Sequence, residues 1–502
     1  MRQILAQPSR LFPNDPDYAA VLEKRFNKRF SARPDYIQRA GSTDEVIAAV
    51  EEAVKEGRRL VVTSGGHCLE GFVSDPEVRV ILDLSPMKRV YYDPGMGAVA
   101  VEAGATVGDT FEALHRNWGT VVPLGEYPAI GMGGHVAGGA FGFLCRQLGL
   151  AADYLHGVEV VTVDLHGSAG SVVATREASD PNRELWWAHT GGGGGNFGVV
   201  TRYWFRSPDS SGENPRILLP RAPDKVTTFK AEWSWSQVDR PSFLRLLQNH
   251  GIRCERNSHS GSPNASLWTL FEIHRQQFGK IIYRGVSTDS DAERQWRDHL
   301  TALYDGVVRP EIQDGSAMSW LDFALNPLPD LFAAPPGGAS VKVKDALLRK
   351  RLTDHQIDTA YDFLTRSDFD AMGGMLGLAT YGGQINTIAP DATASAHRGS
   401  ILDLACSTGW VDRKDEEQNL KWARTFYREL FAETGGVPVP GERYDGAFIN
   451  HPDTDLADPV LNTSGVPWST LYYKDNYPRL QAVKARYDPA NVFRHALSVE
   501  LP

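Results

Sequence analysis

The first 205 residues alternate short apolar runs with amphipathic stretches, the pattern of strands interleaved with helices. Ser42-Thr43-Asp44-Glu45 has the spacing of a capping box. Val46, Ile47, Val50 and Val54 behind it share one helical face, and Gly57 is the stop. Leu60-Val61-Val62-Thr63 predicts a strand that runs directly into Ser64-Gly65-Gly66-His67. Residues 207–225, rich in Ser, Pro, Gly, Asn and Asp, read as a crossing into a second unit. From about 226 to 450, strand-like segments (Leu267–His274, Ile281–Val286, Leu376–Ile388) alternate with polar amphipathic helices such as 416–434. From Trp468 the texture changes again, and the chain carries no internal repeat or low-complexity tract.

Length and charge narrow the class. At 502 residues the chain is too long for one core, so two domains are expected. A net charge of -10 argues against nucleic acid or an anionic membrane as partner. No apolar run approaches the roughly 20 residues of a membrane helix. The opening segment has no continuous apolar stretch before Pro8, which predicts no export signal and a cytoplasmic location. Four cysteines in so long a chain do not form a disulfide framework and read as free thiols. The glycosylation patterns at Asn264 and Asn462 are then chance matches. No spacing of His, Cys or carboxylates forms a metal motif, so no metal is expected.

The 48 glycines change the picture, because they cluster at Gly65-Gly66, Gly131 to Gly142 and Gly191 to Gly198. Such clusters can be tight turns, but glycine also leaves backbone N–H groups uncovered for phosphate oxygens. There is no G-x-x-x-x-G-K-[ST], and Gly131-Met-Gly133-Gly134-His135 is a poor dinucleotide fingerprint without a clear βαβ unit. Several anion-cradling loops outside those patterns suggest a long dinucleotide held from several sides.

Six motifs follow one another in order. They are Ser64-Gly-Gly-His-Cys68, Gly125-Glu-Tyr-Pro-Ala-Ile-Gly-Met-Gly-Gly-His135, Gly138-Gly-Ala-Phe-Gly142, Gly192-Gly-Gly-Gly-Asn-Phe-Gly-Val-Val200, Tyr472-Tyr-Lys-Asp-Asn-Tyr477 and Tyr487-Asp-Pro-Ala-Asn-Val-Phe493. Together they resemble the berberine bridge enzyme-like FAD-linked oxidases, which share the fold of vanillyl-alcohol oxidase and p-cresol methylhydroxylase. Bacterial members that tailor glycosylated antibiotics are the most similar. The resemblance is strongest over residues 35–205 and 466–502.

The resemblance implies an α+β fold. A PCMH-type FAD-binding domain would be made of residues 1–206 and 451–502, with a substrate domain, an antiparallel sheet covered by helices, inserted at 207–450. In the family the histidine of the S-G-G-H motif is bonded to the flavin, which here is His67; the bond retains the cofactor and makes it a stronger oxidant. Many relatives carry a second bond from a cysteine, but Tyr127 stands there, so a single covalent link is expected. Cys68, beside His67, belongs to the same cofactor motif, with its side chain expected to point away from the ring. The motifs further assign Ser64, Gly65, Gly66, Gly131, Gly134, His135, Gly139, Gly194, Asn196, Gly198 and Val200 to FAD, with Tyr473 and Asn476 from the final segment.

Oxidising an alcohol or amine requires a hydride acceptor and a base for the proton. Thr380-Tyr381-Gly-Gly-Gln-Ile-Asn386 matches the segment that gives relatives an active-site tyrosine. A second segment, Y-x-N-Y in relatives, reads Phe448-Ile449-Asn450-His451 here. With both tyrosines replaced, His451 is the candidate base and Tyr381 orients the substrate, since imidazole titrates nearer neutrality than phenol. The expected reaction is oxidation of a hydroxyl on a sugar, glycoside or polycyclic natural product, with O2 giving H2O2. A dehydrogenase using another acceptor stays open, because Ile130 stands where relatives have Val or Leu. A flavin-containing drug-binding or resistance protein, and C–N or C–C chemistry, stay open too. Nothing in the sequence points to an oligomeric state.

Overall fold

The computed structural model describes residues 10–331, 335, 337–369 and 373–502. The segment read for an export signal therefore lies, up to Ser9, outside the described residues. Among the described residues no helix is long and apolar enough to cross a membrane.

Two sheets are built from the first 205 residues. Strands Tyr36–Arg39, Val80–Asp83 and Leu60–Thr63 run parallel, with the two-residue strand Arg10–Leu11 added antiparallel at the edge. A five-stranded antiparallel sheet orders Val90–Asp93, Ala98–Glu102, Val199–Phe205, Leu155–Val163 and Ala169–Thr175. Helix Thr43–Lys55 starts at Ser42, whose Oγ accepts from the Glu45 N–H, and buries Val46, Ala49, Val50 and Ala53. The capping box is only half formed. The Glu45 carboxylate accepts from Gly41 N–H (2.8 Å) instead of the Ser42 N–H.

Strand Leu60–Thr63 delivers the chain into the loop that carries His67. Ser64 Oγ donates to the Ala103 carbonyl at 2.6 Å, tying this loop to the second sheet. Here glycine is required by contact: a Cβ on Gly65 would stand 2.2 Å from the Gly131 nitrogen, and one on Gly131 2.0 Å from the Gly65 nitrogen. The two glycine motifs, 66 residues apart, lie back to back. Gly65→Ala should cost about 1–3 kcal/mol as overpacking, read as a lowered Tm. An unchanged Tm would mean the loops can part freely.

The third sheet has eight strands, all antiparallel and all from residues 225–446, in the order Glu311–Ser319, Lys225–Ser234, Lys280–Ser287, Leu267–His274, Met375–Thr380, Leu402–Trp410, Ser340–Leu348 and Tyr444–Gly446. Helix Glu416–Leu430 packs on strands Leu402–Trp410 and Ser340–Leu348, and Arg240–Asn257, Ala292–Leu303 and Asp354–Thr365 extend the helical layer. The strand expected over Leu376–Ile388 stops at Thr380. Gly382 (φ +88°) and Gly383 (φ +68°) turn the chain into a short 3-10 helix, Gln384–Thr387, so Tyr381 stands just past the strand end. The helix expected over 416–434 likewise breaks at Leu430, with a 3-10 turn closed by Gly435 at φ +76°. All four cysteines are free thiols.

Candidate active site

A cavity of about 550 Å³ lies between the glycine loops of the first 200 residues and the face of the eight-stranded sheet away from the helices. Its lining includes Ser64, Gly65, Gly66, His67, Cys68, Tyr127, Ile130, Gly131, Gly134, His135, Gly194, Asn196, Gly198, Val200 and His451. Tyr381, Gly139, Tyr473 and Asn476 are placed elsewhere. The Tyr381 ring packs on Phe141 (centroids 4.8 Å apart) in a buried cluster with Phe448, so it backs the cavity without facing it. Gly139 is pressed against Ser395. Tyr473 donates from its hydroxyl to the Gly192 carbonyl at 3.0 Å, and Asn476 to the Pro390 carbonyl at 2.9 Å. The final segment thus supports the glycine turn from behind. Lys484 Nζ adds to this by donating to the Asn196 carbonyl, and Asn196 Oδ1 accepts from Val499 N–H, both at 2.8 Å.

His67 sits between two rings, Phe26 at 4.8 Å and Tyr127 at 4.9 Å. Burial pushes its imidazole down to about 4, so it is neutral at pH 7 with a free lone pair. Cys68 points away, its thiol donating to the Glu70 carbonyl at 3.1 Å, and burial raises it to about 11. His135 has a positioning role. Its Nε2 accepts from Gly125 N–H at 2.8 Å, which fixes the loop bearing Glu126 and Tyr127. Its own carbonyl accepts from Asn450 Nδ2 at 2.9 Å, which fixes the segment bearing His451.

The cavity also holds two residues that sequence reasoning missed, Asp403 and Glu126, with Asp345 beside Asp403. Asp345, Asp403 and His451 come from three separate segments, with one polar atom from each within 4.8 Å of the others. His451 Nδ1, Asp345 Oδ1 and Asp403 Oδ1 are each buried without a hydrogen-bond partner. Sheet register explains the juxtaposition: Asp345 is directly opposite Ala405, so Asp345 and Asp403 are diagonal neighbours on one face. Asp345 Oδ2 accepts from Phe448 N–H at 2.9 Å, which brings the loop before His451 over the pair. Burial pushes Asp403 up to about 7 and Asp345 well above the carboxylate range, with Asp403 adding to the shift of Asp345. Burial lowers His451 to about 4. Glu126 also lines the cavity, and burial, with the charge of Asp403, raises it to about 8. Among the described residues this trio is also the one group spaced to hold a metal ion.

An FAD binding domain family model matches residues 34–165, and a berberine and berberine-like model matches 447–500. The chain is 47% identical over 492 residues to the aclacinomycin-N/aclacinomycin-A oxidase of Streptomyces galilaeus, covering 97% of this chain and 89% of that one. It superposes on the crystal structure of aclacinomycin oxidoreductase with a TM-score of 0.95 at 46% identity, covering 98% and 99% of the two chains. A glycopeptide hexose oxidase complexed with teicoplanin matches with a TM-score of 0.93 at 45% identity, covering 99% of each. Likeness at this level extends over nearly the whole chain. This chain belongs to the berberine bridge enzyme-like FAD-linked oxidases.

Proposed function

We propose that this oxidoreductase oxidises a hydroxyl group of a sugar, glycoside or polycyclic natural product, with His451 as the base and FAD held by a single covalent bond to His67. The observation that carries the reading is that one cavity brings together the neutral imidazole of His67 and the imidazole–carboxyl cluster of His451. The cavity suits FAD chemically. Gly134 has nothing within 4 Å of where a Cβ would stand, and Gly194 would meet only Gly134, so bare backbone faces the space where phosphates need N–H donors. When bound, FAD supplies the hydride acceptor and passes the electrons to O2. His451 takes the hydroxyl proton at Nε2, since Nδ1 is buried without a hydrogen-bond partner. Asp345 and Asp403 position that imidazole, and Phe141, Phe448 and Trp268 exclude water. The relatives named for aclacinomycin and for a teicoplanin complex support a glycosylated substrate.

Peroxide formation across a panel of glycosides and alcohols tests the reaction. Bleaching of the flavin without peroxide would assign another electron acceptor, and binding without bleaching would overturn oxidation altogether. The tether is tested separately. Acid-precipitated protein should give a yellow pellet with flavin on the His67 peptide alone, and His67→Ala a colourless one. Flavin mass on the Tyr127 or Cys68 peptide would refute the single link.

A further inference from the structure

Nothing within the His67 side chain fixes the plane of its ring, because the torsion that turns an imidazole about its Cβ–Cγ bond is broad and shallow. Among the described residues no hydrogen bond holds that ring either. Its orientation is left to two aromatic neighbours. Tyr127 is tilted against it at 44°, and Phe26 stacks on it at 22° with the centroids 4.8 Å apart. Phe26 also meets the Tyr127 ring at 6.3 Å, and all three side chains line the cavity.

The segment carrying Phe26 is anchored more firmly than a phenylalanine that is itself 37% exposed requires. Phe26 N–H donates to the Gly66 carbonyl at 3.0 Å, one residue before His67. Asn27 is 2% exposed and fills all four hydrogen-bonding positions of its amide. Its Nδ2 donates to the Leu69 carbonyl at 2.7 Å, two residues after His67, and to the Val341 carbonyl at 3.0 Å. Its Oδ1 accepts from Val341 N–H at 3.0 Å and from Arg29 N–H at 3.1 Å. Lys28 N–H adds a bond to the Ala339 carbonyl at 3.1 Å. One short segment therefore grips the loop on both sides of His67 and ties it to strand Ser340–Leu348 of the inserted sheet.

We propose that Phe26 is a positioning residue for flavin attachment, with Asn27 as its anchor: the stacked ring holds the His67 imidazole in the plane from which a ring nitrogen reaches the flavin methyl carbon. The proposal rests on the reading of His67 as the tether. In that step an N–C bond replaces one C–H and one N–H bond. Two protons and two electrons pass to the flavin ring, and O2 reoxidises it to give H2O2. Such a step depends on alignment as well as proximity. A freed imidazole therefore slows attachment without weakening FAD binding, which the glycine loops supply in the same reading.

The test uses the full chain, purified after expression under riboflavin limitation and given FAD in air at several concentrations. Flavin in acid-quenched samples gives the rate of attachment, and its dependence on FAD separates binding from alignment. Phe26→Ala and Phe26→Leu should lower the maximal rate by about tenfold or more, with the half-saturating FAD concentration unchanged. Phe26→Tyr keeps a flat ring and should keep the rate, and Asn27→Ala should show the same fall as Phe26→Ala. An unchanged maximal rate in Phe26→Ala, a Phe26→Leu enzyme as fast as Phe26→Tyr, or a fall explained by weaker FAD binding would each overturn the proposal. A wild-type chain that binds FAD but gives a colourless acid pellet would refute the tether and this proposal with it. A yellow wild-type pellet with attachment at full rate in Phe26→Ala would leave the tether standing and remove only this inference.

Discussion

His451→Ala should slow reduction of the flavin by substrate by about 10²–10⁴-fold, the usual contribution of a positioned general base. The flavin itself should be retained. The physical case starts from burial, which lowers the imidazole to about 4 and would make an isolated His451 a weak base. The neighbouring carboxyls change that. Once Asp403 ionises, its negative charge favours the imidazolium, so proton uptake at Nε2 is stabilised by a charge lying within 4.8 Å. The sign follows directly. Below about 7 Asp403 is protonated and gives no such support; above it the carboxylate is present and the base is strengthened. The rate of flavin reduction should therefore rise with pH through about 7. Asp403→Asn should flatten this limb without abolishing the reaction, because Asp403 acts through His451. Stopped-flow reduction at 450 nm across pH 5–9 reads both, with the wavelength and range chosen for the flavin band and the expected limb. A His451→Ala enzyme that reduces its flavin at the full rate would refute the assignment.

Much of the glycine-rich lining of the cavity was legible in the sequence, because its residues are contiguous motifs whose glycines are demanded by close backbone approach. Gly65 and Gly131 are the clearest case, each excluded from carrying a Cβ by the other. Tyr381 was legible as a motif but not as a position, since the turn at Gly382 and Gly383 moves it behind Phe141. Tyr473 and Asn476 were likewise assigned to FAD, but Tyr473 braces the glycine turn at Gly192 and Asn476 holds the Pro390 and Thr393 carbonyls.

The acidic wall was not legible, for a reason that lies in strand periodicity. In Leu402–Trp410 the positions facing the cavity are Asp403 and Ala405, while Leu402 and Leu404 alternate with them. A small or polar residue at every second position is the signature of a solvent-facing edge of a half-buried strand. Here that face looks into an interior cavity, and single-sequence alternation does not distinguish the two. Asp345 lies in Ser340–Leu348 at alternate positions with Val341, Val343 and Leu347, and Lys342 and Lys344 take the other face. Both lysines are in fact buried, at 1% and 3% exposure.

Those lysines give the second large effect: Lys342→Ala should destabilise the protein by about 3–5 kcal/mol, the cost of leaving a buried charge without its partner. Lys342 Nζ meets Glu70, Asp453 (2.7 Å) and Asp455 (3.5 Å), while Lys344 Nζ meets Asp453 and Asp455 (3.0 Å). Arg424 closes the set on Asp455 at 2.8 Å. Three cations thus face three carboxylates, and the cluster is neutral as a whole. Removing Lys342 leaves one negative charge in excess, with Glu70 retaining only the Thr454 hydroxyl at 3.3 Å. The denaturant midpoint should fall with little change in m. Replacing the lysine by Met together with Glu70→Gln should recover most of the loss, because neutrality is restored. The pH dependence follows from Asp455. Burial alone would raise it, but Lys344, Arg424 and Lys342 hold it well below the usual carboxylate range. A depressed carboxylate contributes stability that is fully present above its unfolded pKa of about 3.9 and is lost as pH falls below that value. The loss from Asp455 should therefore appear on the acid side. In strong alkali a separate loss comes from Lys342, which Asp453, Glu70 and Asp455 raise against the lowering by burial. The cluster also bears on function, because Glu70 follows His67 by three residues and Asp453 follows His451 by two. Both imidazoles hang from segments that these lysines clamp to the sheet. Lys342→Ala should accordingly lower the fraction of flavin retained by acid-precipitated protein as well as the midpoint. A variant that loses several kcal/mol yet keeps its full complement of flavin would show that the cluster holds the fold together without holding the site.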